Sequence, residues 1–350
     1  MFTLLRRYKG LFLGVVFLLL VSICALFAYW IAPDNSPHAN RMIVEIGGKK
    51  PGYRQQFFKQ KKQDVVEQKN WNILWNGKTD NYEWLPIASY AIKGDTLIVE
   101  KYIDEGITEK RKFFTERGSH ERYIEEKIFW LGTDKFGRDI LSRLLVGARI
   151  SLSVGAMAVI LSLSIGIFLG AMAGYWGGIT DRLIMWFLQV IWSLPTMLLV
   201  FGVMLLLGKG FSQVFLAIGL SLWVNVARLV RGQVMAVKEL TYVEAANTLG
   251  FSHTRIIFRH ILPNIMGSIW VMAASNFATA IMLEAGLSFL GLGIPAPQPS
   301  WGLMMKEQYN FIITQNPMLA IAPGIAIAFT VFAFHLIGNG LRDLLDIKSV

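Results

Sequence analysis

Residues 150–180 read ISLSVGAMAVILSLSIGIFLGAMAGYWGGIT, and this stretch contains no charged side chain between Arg149 and Asp181. A helix that crosses the hydrocarbon core of a bilayer needs roughly 20 consecutive apolar residues. The stretch is long enough for that purpose, and it therefore predicts a transmembrane helix.

Glycine recurs at every fourth residue along part of this run, at Gly166, Gly170 and Gly174. Small residues at this spacing form a flat stripe on one helix face, where the backbone of a second helix can approach closely. The pattern predicts ordinary close packing against a partner helix, although it does not identify that helix.

Five more apolar runs have a similar character, and they lie at 11–32, 183–208, 210–227, 267–294 and 316–341. Glu284 is the only charged residue within them, apart from a potential charge on His335. We therefore predict an all-α membrane protein with six transmembrane helices. Pro195 and Pro323 each remove a backbone donor, which predicts a kink in the third and the sixth helix.

The first run could instead belong to a cleaved signal peptide, because basic residues precede it and Leu26-Phe27-Ala28 ends in a small residue. The apolar part of a signal peptide is typically ~7–15 residues long. This run is longer and stays apolar through Ile31, which favours a retained helix at 11–32. The single cysteine, Cys24, lies in this helix and excludes an internal disulfide.

A charged segment follows the first helix. Residues 33–130 carry 32 of the 58 charged side chains of the chain, whereas the remainder is strongly apolar. Tyr90 to Glu100 alternates as a hairpin does, with Lys93-Gly94-Asp95 at the turn. Lys59 to Asn70 is polar enough for a surface helix or a loop. We predict that 33–130 forms a small α+β insert.

The distribution of basic residues predicts the orientation in the membrane. With the N-terminal segment 1–10 inside, the cytoplasmic side has eleven Lys and Arg residues and the other side six, when the long insert is left out. This bias obeys the positive-inside rule. Both termini are therefore predicted to be cytoplasmic and the insert external. Membrane topology explains the basic composition, so nucleic-acid binding is not needed to account for it.

Residues 244–264 read EAANTLGFSHTRIIFRHILPN and form a polar island between apolar runs. The spacing predicts a short helix with an apolar stripe, a turn at Gly250 and a second short helix that begins after Ser252. Its stripe would consist of Val237, Leu240, Val243 and Ala246. Pro263 predicts that the second helix ends at Leu262. The segment fits either a docking loop for a partner protein or an ordinary interfacial loop.

Several motifs in this sequence resemble those of a known family. Glu244-Ala245-Ala246, Gly250 and Ile261-Leu262-Pro263 resemble the cytoplasmic Glu-Ala-Ala loop of ABC importer permeases. Motifs at 131–149, 174–181, 227–231, 287–293 and 299–302 are similar to the dipeptide, oligopeptide and nickel permease C-subunits. The sequence departs from that family at Gln189, Asn339 and Ile347, and in its longer insert.

The resemblance implies the type I ABC importer permease fold, with an extracytoplasmic α+β insert after the first helix. It implies a permease core at 131–350 whose cytoplasmic loop, 230–264, sits in a groove of an ATPase subunit. Glu244, Ala245, Ala246 and Gly250 would carry this coupling, with Arg228 and Arg231 as candidate supports.

The expected place of such a chain is the bacterial inner membrane, in contact with the lipid bilayer. The implied partners are a second, non-identical permease subunit, two ABC ATPase subunits and an extracytoplasmic substrate-binding protein that delivers peptide. ATP and magnesium would be bound by the ATPase subunits.

No Gly-x-x-x-x-Gly-Lys-Ser/Thr phosphate loop occurs in the chain, which predicts that ATP hydrolysis belongs to partner subunits. The five histidines show no metal-ligand spacing, and no catalytic constellation stands out. We therefore expect no cofactor, no metal and no catalytic residue here.

Glu284 is the strongest candidate for a residue of the translocation path or a gate, because ionisable groups within spans are costly and often functional. The alternative is a carboxylate that neighbouring backbone groups satisfy. Asn276 and Ser275 in the same helix are weaker candidates of the same kind.

The sequence leaves three other functions open. The chain could be a secondary transporter or channel that works without an ATPase, an importer permease for nickel chelates, or a membrane-tethered signalling or assembly protein whose insert carries the activity.

Overall fold

The computed structural model describes residues 9–62, 70–93, 96–114, 123–312 and 316–346. The chain divides into two compact units. The helical unit comprises the chain up to Val21, Ser151–Pro295 and the chain from Ala326 onward, and the sheet unit comprises Ser22–Ile150 and Ala296–Ile325.

The α-helices of the described ranges are α1 (Lys9–Leu26), α2 (Ala28–Ile31), α3 (Asn70–Asn76), α4 (Ile140–Trp176), α5 (Gly178–Trp192), α6 (Thr196–Leu207), α7 (Phe211–Lys238), α8 (Thr241–Thr248), α9 (His253–Ile256), α10 (Leu262–Leu290), α11 (Trp301–Gln308) and α12 (Met318–Asp346). The strands are β1 (Tyr53–Lys61), β2 (Tyr82–Lys93), β3 (Thr96–Asp104), β4 (Ile107–Phe114) and β5 (Ile124–Phe129).

Five helical stretches of the described residues are long and apolar enough to cross a membrane, namely α1, α4, α7, α12 and the stretch from α9 through α10. The helices α5 and α6 form a pair bent by 90°, which makes six spans if the pair is one broken span. The predicted third helix is thus two helices that meet at Pro195, because proline cannot donate to the preceding turn and its neighbour is pushed out of helical geometry. α12 continues as one helix through Pro323.

The glycine stripe of α4 packs against α7, so the predicted partner helix belongs to the same chain. A Cβ on Gly166 would collide with Val226. A Cβ on Gly170 would lie 2.5 Å from the carbonyl oxygen of Ala227, and one on Gly174 would lie 2.8 Å from that of Arg231. Any side chain at these positions would push the two helices apart, and α7 therefore packs directly on the backbone of α4.

One prediction is wrong at Pro263, because the second short helix does not end there. α9 passes through one π-helical turn, Ile257–Ile261, directly into α10, whose first turn contains the proline. The amide of Leu262 bonds to the carbonyl oxygen of Ile257, one residue further back than in an α-helix. This wider turn accommodates a residue that lacks an amide hydrogen and would crowd the carbonyl four residues before it.

The charged segment forms a five-stranded antiparallel sheet in the order β4-β3-β2-β1-β5. The predicted hairpin is confirmed by the pairing of Ile92 with Leu97 and of Lys93 with Thr96, although Gly94 and Asp95 lie outside the described residues. The interpretation of Lys59 to Asn70 as a helix or loop is wrong at its start, since β1 extends to Lys61. Residues 63–69 lie outside the described ranges.

Both faces of the sheet bury apolar side chains, which is why its strands combine aliphatic and aromatic residues with lysine and glutamate. One face buries Phe58, Leu85, Ile87, Leu97 and Val99. The other buries Phe57 and Phe129 together with Ile43 and Ile46 from the chain before β1.

Candidate functional site

The helix α8 carries the Glu-Ala-Ala motif and is fixed to the helical unit by one side only. Val243 and Ala246 are buried in a core cluster formed with α7, α9 and α10. Glu244 and Ala245 are exposed on the opposite side. The predicted four-residue stripe is wrong at Leu240, which precedes α8 and is 43% exposed.

The turn after α8 depends on Gly250. Its φ of +77° is a left-handed conformation that side-chain-bearing residues rarely adopt. The amide of Gly250 bonds to the carbonyl oxygen of Asn247, and that of Phe251 to Ala246. This pair of bonds is a Schellman motif, which satisfies carbonyls left over at a helix end. Phe251 then packs against the core cluster, and this contact holds the turn in its conformation.

Large apolar side chains project outward around this turn. Leu249 is 73% exposed and Phe258 is 70% exposed, and Tyr242 on α8 is 42% exposed. Exposed apolar side chains that are grouped on a polar, well-packed segment are typical of a protein-binding surface. The arrangement therefore favours the docking interpretation of the loop over the interfacial one.

The remaining coupling candidates lie where α9 joins α10. Ile261 is buried in the core cluster, Leu262 is half-buried and Pro263 is exposed. Their role in this chain is to form the π-helical turn and the first turn of α10. α9 therefore runs into the span α10 as one continuous helix.

Polar contacts tie the same segment to the ends of two spans. The hydroxyl of Tyr175, at the end of α4, lies 2.8 Å from Nδ1 of His253. The ammonium of Lys238, at the end of α7, donates to the carbonyl oxygen of Tyr175 over 2.7 Å. The amide of Asn264 donates to the hydroxyl of Tyr242 over 2.6 Å. The turn, α4, α7 and α10 are therefore held together at one end of the helical unit.

The two candidate supporting arginines contact α5 and not the turn. The guanidinium of Arg231 makes a bidentate pair with Asp181, at 2.5 Å and 2.6 Å. That of Arg228 lies 3.8 Å from the ring centroid of Trp192. Such planar contacts use the geometry of arginine specifically. In this structure the two arginines attach the first helix of the bent pair to α7.

The pathway candidates differ in their surroundings. Glu284 is fully buried, and its carboxylate accepts hydrogen bonds from the hydroxyls of Ser288, at 2.8 Å, and Ser151, at 3.2 Å. Asn276 is also buried and lies 3.4 Å from the hydroxyl of Ser162. Ser275 is exposed and lines a cavity of about 450 Å³ together with Gln233 and Arg342.

In the sheet unit, two of the motifs that carry the family resemblance come together. The buried guanidinium of Arg138 bonds to Asp134 at 2.6 Å and to Glu307 at 2.8 Å, and Arg143 bonds to the same Glu307 at 3.1 Å. The indole of Trp301 donates to the carbonyl oxygen of Leu144 over 3.0 Å. These motifs therefore build a buried ionic junction. Among the described residues no cluster of three His, Cys, Asp or Glu could hold a metal ion.

The sequence reasoning missed the contacts that Tyr175 makes with His253 and Lys238, and the pairing of Asp181 with Arg231. Asp181 and Tyr175 belonged to a recognised motif, but their partners lie 50 and 78 residues away along the chain. Nothing in one sequence indicates such a pairing.

The chain is similar to a known protein family and to a solved transporter. Residues 166–348, just over half of the chain, match the family described as binding-protein-dependent transport system inner membrane component. The solved MetNI methionine ABC transporter, in inward-facing conformations, is 16% identical with a TM-score of 0.46, over 57% of this chain and 95% of that one.

Two curated relatives match over a longer part of the chain. The oligopeptide transport system permease protein OppC of Bacillus subtilis is 44% identical over 222 residues, which are 63% of this chain and 72% of that protein. The glutathione transport system permease protein GsiD of Pectobacterium atrosepticum is 44% identical over 219 residues, with the same coverage. The chain therefore belongs to the binding-protein-dependent transport system inner membrane component family, and it is a permease subunit of an ABC importer.

Proposed function

We propose that this permease subunit carries short peptides and that α8 with the Gly250 turn receives the force of a separate ATPase. The observation that carries the proposal is the rigid, exposed segment from Glu244 to Phe258, whose inner side is packed into α7 and α10. The relatives named for oligopeptide and glutathione transport support the choice of peptides as substrates.

The proposed assembly has two different permease subunits, two ATPase subunits and an extracytoplasmic substrate-binding protein. ATP and magnesium are bound by the ATPase subunits, and this chain contributes no cofactor site and no catalytic group. Exposed apolar residues along the spans, for example Leu19, Leu198 and Phe332, suit contact with lipid or with the second permease subunit.

The proposed orientation has both termini and the Gly250 turn in the cytoplasm and the sheet unit outside. The excess of basic residues on the inner side supports this orientation. It brings the coupling segment to the compartment that holds ATP.

The mechanism follows from linkage between two packings of the spans. ATP binds better to the closed form of the ATPase pair, so it favours whichever permease packing is compatible with closure. Because α9 continues into α10, a shift of the turn moves a whole span. Contacts such as Tyr175 with His253 would then carry the shift to α4.

Co-purification tests the proposal. The chain is extracted from its own cells in mild detergent with a tag on this subunit, and the bound proteins are identified and counted. We expect two ATP-binding subunits and one second permease subunit per tagged chain. A chain that transports solute but brings down no ATP-binding subunit would be a secondary transporter or channel, and the proposal would be wrong.

Uptake assays on the same assembly test the substrate class. We expect ATP-driven uptake of short peptides, with no competition from a nickel chelate at equal concentration. Uptake of the chelate in preference to peptides would contradict the peptide assignment and leave the coupling assignment intact.

A further inference from the structure

The sheet unit contains a pocket whose lining includes none of the coupling or pathway candidates named above. Its cavity of about 330 Å³ is lined by β1, β2 and β5 and by the segments before β1 and before α4. Ligand pockets in proteins typically enclose ~300–1,000 Å³. The volume is thus sufficient for a small molecule, and the whole lining belongs to one compact unit.

One buried carboxylate in this pocket has an unsatisfied oxygen. Asp139 is 4% exposed, and its Oδ2 accepts hydrogen bonds from the amide and the hydroxyl of Ser142. Its Oδ1 accepts no hydrogen bond from any residue that the structure describes. Burial raises the pKa of Asp139, and the nearby charge of Lys127 lowers it in part. A buried polar atom without a partner is costly, so this oxygen calls for a donor.

The same pocket holds the ammonium group of Lys127, whose ion pair with Glu125 is long. The Nζ of Lys127 lies 3.8 Å from the ring centroid of Trp84 and 3.9 Å from a carboxylate oxygen of Glu125. That carboxylate already accepts a hydrogen bond from Lys59 at 2.5 Å. Burial lowers the pKa of Lys127 to about 8. An ammonium in this position is poorly solvated and would gain from an added carboxylate.

The other groups of the pocket include buried aromatic side chains, a paired arginine and the exposed carboxylate of Glu126. Phe57 and Phe129 are buried on the same sheet face as Trp84. Arg41 is paired with Asp80 at 2.5 Å and Asp34 at 3.4 Å. The pocket therefore combines an aromatic wall with one unsatisfied acceptor and one loosely paired cation. A simple anion or cation would satisfy only one of the two.

We propose that this pocket binds a small zwitterion with an apolar side chain, an amino acid or a dipeptide. The ligand's ammonium donates to the Asp139 carboxylate, its carboxylate accepts from Lys127, and its side chain packs against Phe57 and Trp84. The whole lining lies in the sheet unit and contains none of the coupling or pathway candidates named above.

Calorimetric titration of the full-length chain in lipid nanodiscs tests the proposal. The probes are L-phenylalanine, L-phenylalanyl-L-alanine, and the N-acetylated and C-amidated forms of each. We expect one or both zwitterions to bind and each capped form to bind at least about tenfold more weakly, because one charge-assisted bond is lost. The comparison of the two zwitterions identifies whether a free amino acid or a dipeptide is the ligand.

Variants locate the binding. Lys127→Met should weaken binding of the zwitterion at least about tenfold. Lys110→Met removes an exposed lysine of β4 that does not line the pocket, and it should leave the affinity unchanged. Asp139→Asn tests the contact with the ligand's ammonium and should also weaken binding of the zwitterion. Its melting temperature is compared with that of the parent chain to show that the variant is folded.

Three outcomes would overturn the proposal. They are the absence of binding by both zwitterions at millimolar concentration, equal binding of a capped form, and unchanged affinity in Lys127→Met. The last outcome would assign the binding to another part of the chain. None of the three outcomes changes the result expected for co-purification of the ATPase subunits, so the proposed function is tested separately.

Discussion

The close approach of α4 and α7 depends on three glycines, whose side chains are single hydrogen atoms. At Gly170 a methyl group would lie 2.5 Å from the carbonyl oxygen of Ala227 and 2.9 Å from Cβ of Val230. Neither neighbour can move alone, since both belong to the backbone or to the first side-chain atom of α7. The packing tolerates no side chain here, whereas elsewhere in the same unit glycines have open space.

We expect Gly170→Ala to lower the free energy of unfolding of the purified chain by about 1–3 kcal/mol, as is typical of overpacked sites, and to lower its melting temperature accordingly. Gly232→Ala is the matched control, because Gly232 lies in α7 and an added Cβ would meet no atom within 4 Å. The control should be neutral or slightly stabilising, since alanine favours helix more than glycine does. Equal melting temperatures for both variants would contradict the close approach.

Lys127 predicts a pH dependence of stability. Its pKa falls from 10.5 to about 8, first because of burial and then because of Arg41, while Glu125, Asp34 and Asp80 act in the opposite sense. Between pH 8 and 10.5 the unfolded chain binds the proton that the folded chain has released. Stability therefore rises with pH in this window, and the destabilisation by charged Lys127 is fully present below pH 8.

The measurement is the melting temperature of the parent chain minus that of Lys127→Met, from pH 7 to pH 10. We expect the variant to be the more stable at pH 7 and the difference to shrink as the pH rises. A difference that is constant or that widens would mean that Lys127 is not desolvated in the folded protein.

At the residue scale, sequence reasoning predicted the glycine stripe and the turn at Gly250, because both follow from local backbone geometry. It did not predict that Arg231 pairs with Asp181 or that His253 meets Tyr175, since these contacts depend on which helices become neighbours. Lys127 and Asp139 were also missed, because their unusual surroundings exist only in the folded sheet unit.

Among the elements, the bent pair α5 and α6 departs most from a simple span. Its first helix is attached to α7 through the bidentate pair of Asp181 and Arg231, whose side chains are 18% and 25% exposed. The second helix starts at Thr196, directly after Pro195. The ionic pair is thus a bidentate polar contact that holds α5 against α7.

We expect Asp181→Asn to lower the free energy of unfolding by about 1–3 kcal/mol, and with it the melting temperature, because charge-assisted hydrogen bonds to Arg231 are lost. Arg182→Gln is the matched control, since Arg182 is the next residue and is exposed. Differential scanning fluorimetry in detergent measures both. The pair would have no structural role if the two variants melted together with the parent chain.

For the turn after α8, we predict that a substitution at Gly250 leaves membrane insertion intact and abolishes transport. Nothing lies within 4 Å of an added Cβ, but the φ of +77° strains any side chain. We expect Gly250→Asp to insert normally and to lose both solute uptake and stimulation of the ATPase. Gly106→Asp is the matched control, because Gly106 has a φ of +82° with open space and lies in the sheet unit.

Uptake by membrane vesicles and ATP hydrolysis are measured for both variants at equal amounts of inserted protein. Parent-level uptake in Gly250→Asp, or the same loss in Gly106→Asp, would contradict the role of the turn.

At the element scale, apolar run length was sufficient to place the spans, since the cost of burying charge in lipid governs where helices can cross. The junction at Pro263 was not predictable in the same way. Proline usually ends a helix, and only the π-helical turn before it, which depends on packing of Ile257 and Ile261 in the core cluster, lets the helix continue.

For the whole molecule, the uneven distribution of charge separated a polar segment from an apolar remainder, and the sheet of residues 53–129 lies within that polar segment. The order of its strands could not be derived, because β5 follows β4 in sequence but pairs with β1. The junction of Arg138, Arg143 and Glu307 was hidden for a similar reason, since Glu307 lies more than 160 residues from both arginines.

The central claim is that this subunit moves solute only when a separate ATPase acts on the segment from Glu244 to Phe258. The most direct test is peptide uptake by proteoliposomes that contain the purified assembly, before and after the ATPase subunits are stripped off and added back. The account predicts ATP-driven uptake that disappears on stripping and returns on addition. Uptake at the full rate by the stripped permease would contradict it.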